Sequence, residues 1–201
     1  KLKKKILILN YGSGNYSSIA GIFKKFNCEV NVDNTKKSID RSEIIVFPGV
    51  GTFPSAIDNL KKKLIFDYLK KVGKKGKNLL GICLGMHIFC HSSEEIEHTK
   101  GLKLISGLAK RISSSNHIGW NKVSFNKHSI FESLNKKDFY FQHGFYVNNN
   151  KSKEKGFFNF NGNKIQAFIK DKNILGVQFH PEKSQEAGCD FFKIYLDNTY
   201  V

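Results

Sequence analysis

The hydrophobic positions in the first half of the chain fall into short apolar runs separated by amphipathic segments. Apolar runs predict buried β-strands at residues 5–10, 28–32, 43–47 and 78–82. Apolar side chains three and four residues apart predict helices at residues 15–26, 55–72 (as one helix or two) and 84–91. Strands that alternate with helices in this way predict βαβ units and a parallel sheet.

The second half has a different pattern, in which apolar runs follow one another with short polar turns between them. This pattern predicts strands at residues 140–147, 156–160, 164–170 and 174–179, and a final helix at residues 184–197. The turn Asn161-Gly162-Asn163 is typical of a hairpin. The predicted fold class is therefore α/β, with an open mixed, mainly parallel sheet flanked by helices and added antiparallel strands. A single domain is expected over residues 1–201.

Composition changes this picture little, but charge adds a question. The chain has 201 residues, 40% of them hydrophobic, and a formal net charge of +16. Nearly all of the positive charge is lysine, since Arg41 and Arg111 are the only arginines, whereas base readout and phosphate binding favour arginine. The sequence carries no nucleic-acid-binding motif, and no nucleic-acid partner is expected. A lysine-rich solvated surface and a basic face for an acidic partner both remain open.

Membrane and secretory signals are also missing from the sequence pattern. No apolar run approaches the roughly 20 residues of a membrane helix, and the run after KLKKK is too short for a signal-peptide core. The four cysteines form no CxxC pair, which predicts free thiols in a reducing compartment. A cytoplasmic location without a membrane partner is expected.

The first candidate for chemistry is Cys83, in Gly81-Ile82-Cys83-Leu84-Gly85 between an apolar strand and a predicted helix. Gly-x-Cys-x-Gly at such a turn is the nucleophile-elbow arrangement with cysteine in place of serine. Glycines flank the nucleophile because side chains there would collide with the strand and the helix. A helix N-terminus also stabilises a thiolate. The alternative is a buried structural cysteine in a glycine-rich turn.

The second candidate is the pair His180 and Glu182, which follows an apolar strand. Pro181 stops the strand, so both side chains should project from the carboxyl edge of the sheet, where open α/β sheets bind ligands. A cysteine nucleophile needs a histidine to accept its proton and a carboxylate to orient that histidine. A lone histidine at a strand end is usually structural, and it is the pairing with Cys83 that favours a catalytic role.

The third candidate is the turn Pro48-Gly49-Val50-Gly51, at the end of the strand that precedes the elbow unit. Backbone N–H groups in such a turn are not shielded by side chains and can form an oxyanion hole. As a bare pattern the turn is weak evidence, because Pro-Gly turns are common.

Together these motifs resemble those of the class I (triad) glutamine amidotransferases. The sequences that carry the resemblance are PGVGTF, GICLGM and QFHPEKS, in this order and spacing. Within that class the chain resembles the glutaminase subunits of imidazole glycerol phosphate synthase, often called HisH. That narrower resemblance rests on NYGSGN at residues 10–15, GWN at residues 119–121 and Lys183-Ser184 after the glutamate. It covers essentially the whole chain.

The resemblance implies a catalytic role for each member of the triad. Cys83 would form a γ-glutamyl thioester, His180 would act as general base and then acid, and Glu182 would orient His180. The implied oxyanion hole uses backbone N–H groups of Leu84 and of the Pro48–Gly51 strand, at Val50 or Gly51, after a peptide flip that couples activity to a partner.

The resemblance also implies substrate and partner contacts. Glutamine would be bound by Gly49, His87, Gln142 and His143. The interface and the ammonia passage would include Asn10, Tyr11, Trp120, Tyr140 and Lys183. The implied partner is a (β/α)8-barrel, HisF-like cyclase subunit in a heterodimer, which uses the ammonia to make imidazole glycerol phosphate and AICAR in histidine biosynthesis. No cofactor and no metal are expected.

Two departures from the family pattern bear on substrate and partner. His87 stands where the family usually has glutamine, and Gly144 and Phe145 stand where it has serine or threonine followed by tyrosine. These changes put glutamine affinity and partner choice in question more than the chemistry. If His87 titrates as an ordinary histidine near the substrate, activity should gain a pH dependence between about 6 and 7.

Other interpretations of the same residues stay open. A paralogous glutaminase could supply ammonia to a surface-sugar amidination pathway. A thiol hydrolase or peptidase on a similar sheet, or a regulatory subunit with an inactive triad, would also use part of the pattern. His87 and His91 lie four residues apart, but no glutamate in an HExxH frame accompanies them, which favours a helix-surface pair over a metal site.

Overall fold

The computed structural model describes residues 3–12, 14–96, 99–112, 115–148 and 151–199. Ser13, within the NYGSGN motif, and the first two residues of the chain lie outside the described residues. The strands are, in chain order, β1 (Lys5–Leu9), β2 (Glu29–Asp33), β3 (Ile44–Phe47), β4 (Asn78–Ile82), β5 (Ser92–Ser93), β6 (Thr99–Lys100), β7 (Leu108–Arg111), β8 (His117–Lys122), β9 (Ser124–Phe125), β10 (Asp138–His143), β11 (Phe145–Asn148), β12 (Glu154–Phe160), β13 (Asn163–Asp171) and β14 (Ile174–Val177). The helices are α1 (Tyr16–Lys25), α2 (Lys36–Arg41), α3 (Phe53–Lys62), α4 (Phe66–Lys74), α5 (Leu84–Ile88) and α6 (Gln185–Asp197), with 3-10 turns at Glu132–Leu134 and Pro181–Lys183.

The main sheet has eight strands in the order β2-β1-β3-β4-β14-β13-β12-β9. The first five strands in this order are parallel, and the other three are antiparallel additions. The predicted mixed, mainly parallel α/β fold is therefore confirmed. Because β3, β4 and β14 are parallel neighbours, the segments that follow them meet at one edge of the sheet. Those segments contain the Pro-Gly turn, Cys83 and His180.

Helices cover both faces of the parallel strands. Ile6 and Ile8 of β1 pack in a cluster with α1 and α6, whereas Leu7 and Leu9 pack in a cluster with α3, α4 and α5. Strands buried on both faces have no polar face, which explains the continuous apolar runs in the sequence. Among the described residues, no helix combines the length and the apolar character needed to cross a membrane.

Several predicted boundaries differ from the structure. The single strand predicted at residues 140–147 is wrong, because the chain changes partner at Gly144. β10 pairs with β8 in a two-stranded sheet, and β11 pairs with β7 in a four-stranded sheet that also contains β5 and β6. The helix predicted at residues 84–91 ends at Ile88, where the chain turns into β5. Residues 55–72 form parts of two helices, α3 and α4.

Candidate active site

The turn from β4 into α5 holds Cys83 in a strained backbone conformation, with φ 50° and ψ −106°. Its N–H donates to the carbonyl of Val177 on β14, with N···O 2.7 Å. A Cβ on Gly85 would lie 2.1 Å from the carbonyl oxygen of Phe47, and one on Gly81 would lie 2.6 Å from the backbone of Gly85. The glycines are thus required by close backbone packing, as the sequence predicted, and strain of this kind is typical of functional sites.

His180 and Glu182 form a buried pair beside Cys83. Nδ1–H of His180 donates to Oε1 of Glu182 at 2.8 Å, and the two side chains are 1% and 2% exposed. Burial lowers the pKa of His180, but the charge of Cys83 and the hydrogen bond to Glu182 outweigh it and raise that pKa to about 10. His180 is therefore protonated at neutral pH.

The backbone around His180 is fixed by β10 and Ser184. N–H of His180 donates to the carbonyl of Tyr140 at 2.8 Å. The Ser184 hydroxyl donates to the carbonyl of His180 at 2.7 Å and accepts from N–H of Tyr140 at 2.9 Å. Ser184 thus positions the histidine, a role for which the sequence gave no signal beyond its place in the motif.

The Pro-Gly turn after β3 packs directly on the elbow. A Cβ on Gly49 would lie 1.8 Å from the carbonyl oxygen of Ile82 and 2.8 Å from N of Leu84. The hydroxyl of Tyr11 donates to the carbonyl of Pro48. Tyr11 is fully buried, so its side chain supports the turn and does not lie on an exposed partner surface, while its place in the ammonia passage stays a prediction.

An open pocket of about 340 Å³ lies over Cys83. It is lined by every residue that the family resemblance assigned to the oxyanion hole or to glutamine binding: Gly49, Val50, Gly51, Leu84, His87, Gln142 and His143. The structure therefore brings these residues together around the nucleophile. The pocket also contains Gly144 and Phe145, the two positions at which the sequence departs from the family pattern, and three residues that the sequence did not reveal: Glu95, Asn116 and Ile118.

His87 is buried at the base of this pocket, and its Nε2 lies 2.9 Å from Oε1 of Gln178. Burial lowers its pKa from the ordinary value of 6.5 to about 4, although the Gln178 bond opposes that shift. The predicted titration of His87 between about 6 and 7 is therefore wrong. The amide of Gln178 also donates to Sγ of Cys83 at 3.6 Å. The sequence gave Gln178 no role.

Both ring nitrogens of His143 are already engaged. Nδ1–H donates to the carbonyl of Phe145 at 2.8 Å, and Nε2 lies 3.2 Å from Nδ1 of His117. Burial lowers the pKa of His143 to about 3. His143 can thus border bound glutamine, but its ring has no nitrogen left for the substrate.

Two polar side chains that the sequence did not single out face the pocket. Burial raises the pKa of Glu95, which accepts from N–H of Phe53 at 2.7 Å. A Cβ on Gly144 would lie 2.5 Å from Oδ1 of Asn116. The Asn116 amide therefore fills the space that the usual serine or threonine at position 144 would need.

An exposed aromatic and basic group lies beside the pocket, where the resemblance implied the partner interface. Trp120 is 47% exposed, and its ring packs edge-on against Tyr140 with centroids 5.7 Å apart. Nζ of Lys183 lies 5.6 Å from the Tyr140 ring and donates to Oε1 of Gln142 at 3.1 Å. Asn10, also assigned to this interface, accepts a hydrogen bond at its carbonyl from the Asn34 amide, at 3.0 Å.

A cysteine elbow, a His–Glu pair from the neighbouring strand and a glycine turn from the strand on the other side define a triad amidotransferase. The family model for glutamine amidotransferase class-I matches residues 7–193, and the chain belongs to that family. Its relatives include imidazole glycerol phosphate synthase subunit HisH of Bacillus mycoides (strain KBAB4), 37% identical over 94% of this chain and 92% of the relative. Subunit HisH 2 of Vibrio vulnificus (strain YJ016) is 37% identical over 96% of this chain and 94% of the relative.

Solved structures show the same fold at lower sequence identity. PurLQS from Thermotoga maritima is 20% identical with a TM-score of 0.76, over 98% of this chain and 99% of that one. A glutamine amidotransferase from the same organism is 17% identical with a TM-score of 0.65, over 98% of this chain and 85% of that one.

Proposed function

We propose that this chain hydrolyses L-glutamine to glutamate and ammonia and passes the ammonia to a (β/α)8-barrel cyclase subunit in a heterodimer. The complex would make imidazole glycerol phosphate and AICAR in histidine biosynthesis. The observation that carries the proposal is Cys83 at the base of an open pocket, beside His180 bonded to Glu182 at 2.8 Å. Similarity to HisH subunits over nearly the whole chain supports the choice of pathway.

The reaction starts from the thiolate–imidazolium pair. Sγ of Cys83 attacks the side-chain amide carbon of glutamine and forms a tetrahedral oxyanion. As the C–N bond breaks, His180 gives its proton to the leaving nitrogen, and ammonia departs. A γ-glutamyl thioester remains at Cys83. His180, now neutral, takes a proton from water as the water attacks the thioester. The C–S bond then breaks, glutamate leaves and the charged pair is restored. Glu182 holds Nδ1–H so that Nε2 faces the sulfur.

The oxyanion would accept hydrogen bonds from N–H of Leu84 and from N–H of Val50 or Gly51. The close packing of Gly49 on Leu84 supports this assignment, because it brings the two backbone segments to the same side of Cys83. The bond from the Tyr11 hydroxyl holds the carbonyl of Pro48. A partner-induced flip would therefore occur in the peptides after Gly49, not in the Pro48–Gly49 peptide.

Three side chains in the pocket can recognise the polar groups of glutamine. The Glu95 carboxylate suits the α-ammonium group, since N–H of Phe53 fixes Oε2 and no described residue donates to Oε1. The Asn116 amide suits the α-carboxylate. His87 offers Nδ1 alone, because its Nε2 is bonded to Gln178. Gln142 and His143 also line the pocket and would border the substrate.

The partner would bind at the exposed Trp120, Tyr140 and Lys183 group. Direct transfer there would keep ammonia out of bulk water, where protonation would remove its nucleophilic lone pair. The four cysteines are free thiols, and a catalytic thiolate persists best in a reducing compartment. The proposal therefore includes a cytoplasmic location.

The test is glutamate release by the purified chain alone and with a histidine-pathway cyclase, using amide-labelled glutamine. We expect slow hydrolysis by the chain alone and activation of at least about 10²-fold, the effect of one oxyanion donor. The label should appear in imidazole glycerol phosphate. Activation only by a cyclase-like barrel from a surface-sugar pathway would reject the histidine pathway and assign that acceptor. If glutamine is not hydrolysed in the presence of either partner, the glutaminase assignment would be rejected.

A further inference from the structure

Gln178 lies at the centre of a buried hydrogen-bond chain that the triad mechanism does not use. Its side chain is 0% exposed and lies between α5 and the nucleophile. Its Oε1 is 2.9 Å from Nε2 of His87, and its Nε2 donates to Sγ of Cys83 at 3.6 Å. A buried amide with both ends bonded to named groups has a defined orientation, unlike one in water.

The chemistry of the three groups fixes that orientation. A thiolate is only an acceptor, so the amide must present N–H, not its carbonyl oxygen, to Cys83. The carbonyl oxygen of Gln178 then faces His87 and needs a donor there. His87 supplies it as the neutral ring with its proton on Nε2, and the low pKa of this buried ring, about 4, keeps it neutral. Each group in this series of hydrogen bonds therefore determines whether the next one donates or accepts.

We propose that Gln178 is a further catalytic residue that donates a hydrogen bond to the Cys83 thiolate, and that His87 is a positioning residue that holds the Gln178 amide in the donating orientation. This rests on the proposed role of Cys83 as the glutaminase nucleophile. It also gives a reason for histidine at position 87, where the family usually has glutamine. Either side chain can donate to the oxygen of Gln178, so the link survives the exchange.

Other groups also act on the Cys83 sulfur and must be separated from Gln178. The charged imidazole of His180 interacts with Cys83 and, in turn, with Glu182. The Tyr11 hydroxyl also interacts electrostatically with Cys83. The carbonyl of Gln142, next to the neutral ring of His143, lies 3.8 Å from Sγ and can accept only from the protonated thiol. None of these groups replaces an N–H donor on the Gln178 side.

The experiment measures the thiol directly. The full-length chain is alkylated with iodoacetamide across a range of pH, without glutamine or a partner, and modification of the Cys83 peptide is followed by mass spectrometry. In Gln178→Met the midpoint of the rate profile should rise by about one to two pH units, the equivalent of losing a hydrogen bond to a charged group. Gln166→Met is the matched control, because the Gln166 side chain, on β13, is also buried, at 5% exposed. Its midpoint should stay at the wild-type value.

His87 variants test the second half of the proposal and serve if Gln178→Met does not fold. His87→Leu removes the donor to Gln178 and should raise the midpoint of the alkylation profile. His87→Gln keeps a donor, and its midpoint should lie within about 0.3 pH units of wild type, a difference smaller than the loss of one hydrogen bond would cause. His91→Leu, at an exposed histidine three residues beyond α5, should change nothing.

An unchanged midpoint in both Gln178→Met and His87→Leu would overturn the proposal. Equal shifts in His87→Leu and His87→Gln would overturn the positioning role of His87. Because the assay needs no glutamine turnover, it stays informative if the proposed glutaminase function fails, and that failure would be seen separately in the activity assay.

Discussion

The charge on the Cys83 sulfur and the Glu182 carboxylate both stabilise the protonated imidazole of His180. His180 has a pKa of about 10 in the folded chain against an ordinary value of 6.5. A raised pKa means that protonated His180 stabilises the fold fully below about pH 6.5 and that this stability is lost as pH rises toward 10. In the proposed triad, the Glu182 carboxylate holds this protonated imidazole beside Cys83.

Replacing the Cys83 sulfur should abolish activity and lower the pKa of His180. We expect Cys83→Ala to lower glutamine hydrolysis by about 10³-fold or more and to bring the pKa of His180 down from about 10. Activity assays with the partner and an NMR titration of the imidazole would measure both effects, and partner binding serves as the control for folding. Turnover above about a tenth of wild type would contradict the assignment, because the nucleophile carries the chemistry.

Buried neutral histidines should make the fold sensitive to acid. The pKa values of His87 and His143 fall to about 4 and about 3, so the unfolded chain binds protons below pH 6.5 that the folded chain does not. Stability is therefore lost as pH falls from about 6.5 toward 4, by up to about 1.4 kcal/mol per pH unit for each histidine. Urea unfolding at several pH values should show that the free energy of unfolding falls less steeply with decreasing pH in His87→Gln than in wild type. The same pH dependence in both proteins would show that His87 titrates normally.

At the scale of elements, the site depends on three adjacent strands whose following turns touch through their backbones. Gly85 of α5 lies against Phe47 of β3, where a Cβ would come within 2.1 Å of the carbonyl oxygen. Backbone cannot move aside as a flexible side chain can. The elbow and the turn after β3, up to Gly49, therefore form one rigid unit, and a change in either should disturb both.

A pair of glycine substitutions tests this rigidity. Gly85→Ala should destabilise the fold by about 1–3 kcal/mol or more, roughly 2–4 °C in Tm for each kcal/mol, and should also lower activity. Gly21→Ala, at an exposed position of α1 with nothing within 4 Å of the added Cβ, should stabilise it by about 0.5–1 kcal/mol. If thermal unfolding gave the two variants the same Tm, the close packing at Gly85 would not limit stability.

The same elements show what the sequence could predict. The inner parallel strands were recognisable because burial on both faces makes them continuously apolar, and residues 78–82 match β4 at both ends. The short strands β5 to β9 gave no such signal, because two to six residues with mixed polarity show no clear period. The triad followed from motif chemistry. Gln178 and Asn116 did not, because their roles arise from contacts between distant segments, which no local spacing records.

At the scale of the whole molecule, the question is how the chain meets a partner. The net charge is +16, and the exposed group of Trp120, Tyr140 and Lys183 lies beside the pocket. A basic surface speeds encounter with an acidic one over distances of a Debye length, about 10 Å at 0.1 M salt. The aromatic centre, by contrast, should set how long the complex lasts, since buried aromatic side chains carry much of the energy of an interface.

Salt should therefore separate these two contributions. As salt rises from about 0.05 to about 0.5 M, we expect the association rate constant with the cyclase to fall steeply and the dissociation rate constant to change little. Trp120→Ala, as a matched variant, should speed dissociation and leave the salt dependence of association unaltered, because it removes contact area without changing charge. Stopped-flow or surface-based kinetics would measure both constants. Association that is independent of salt would show that the lysines do not steer the partner. The excess of lysine over arginine would then reflect a solvated surface and not a docking face.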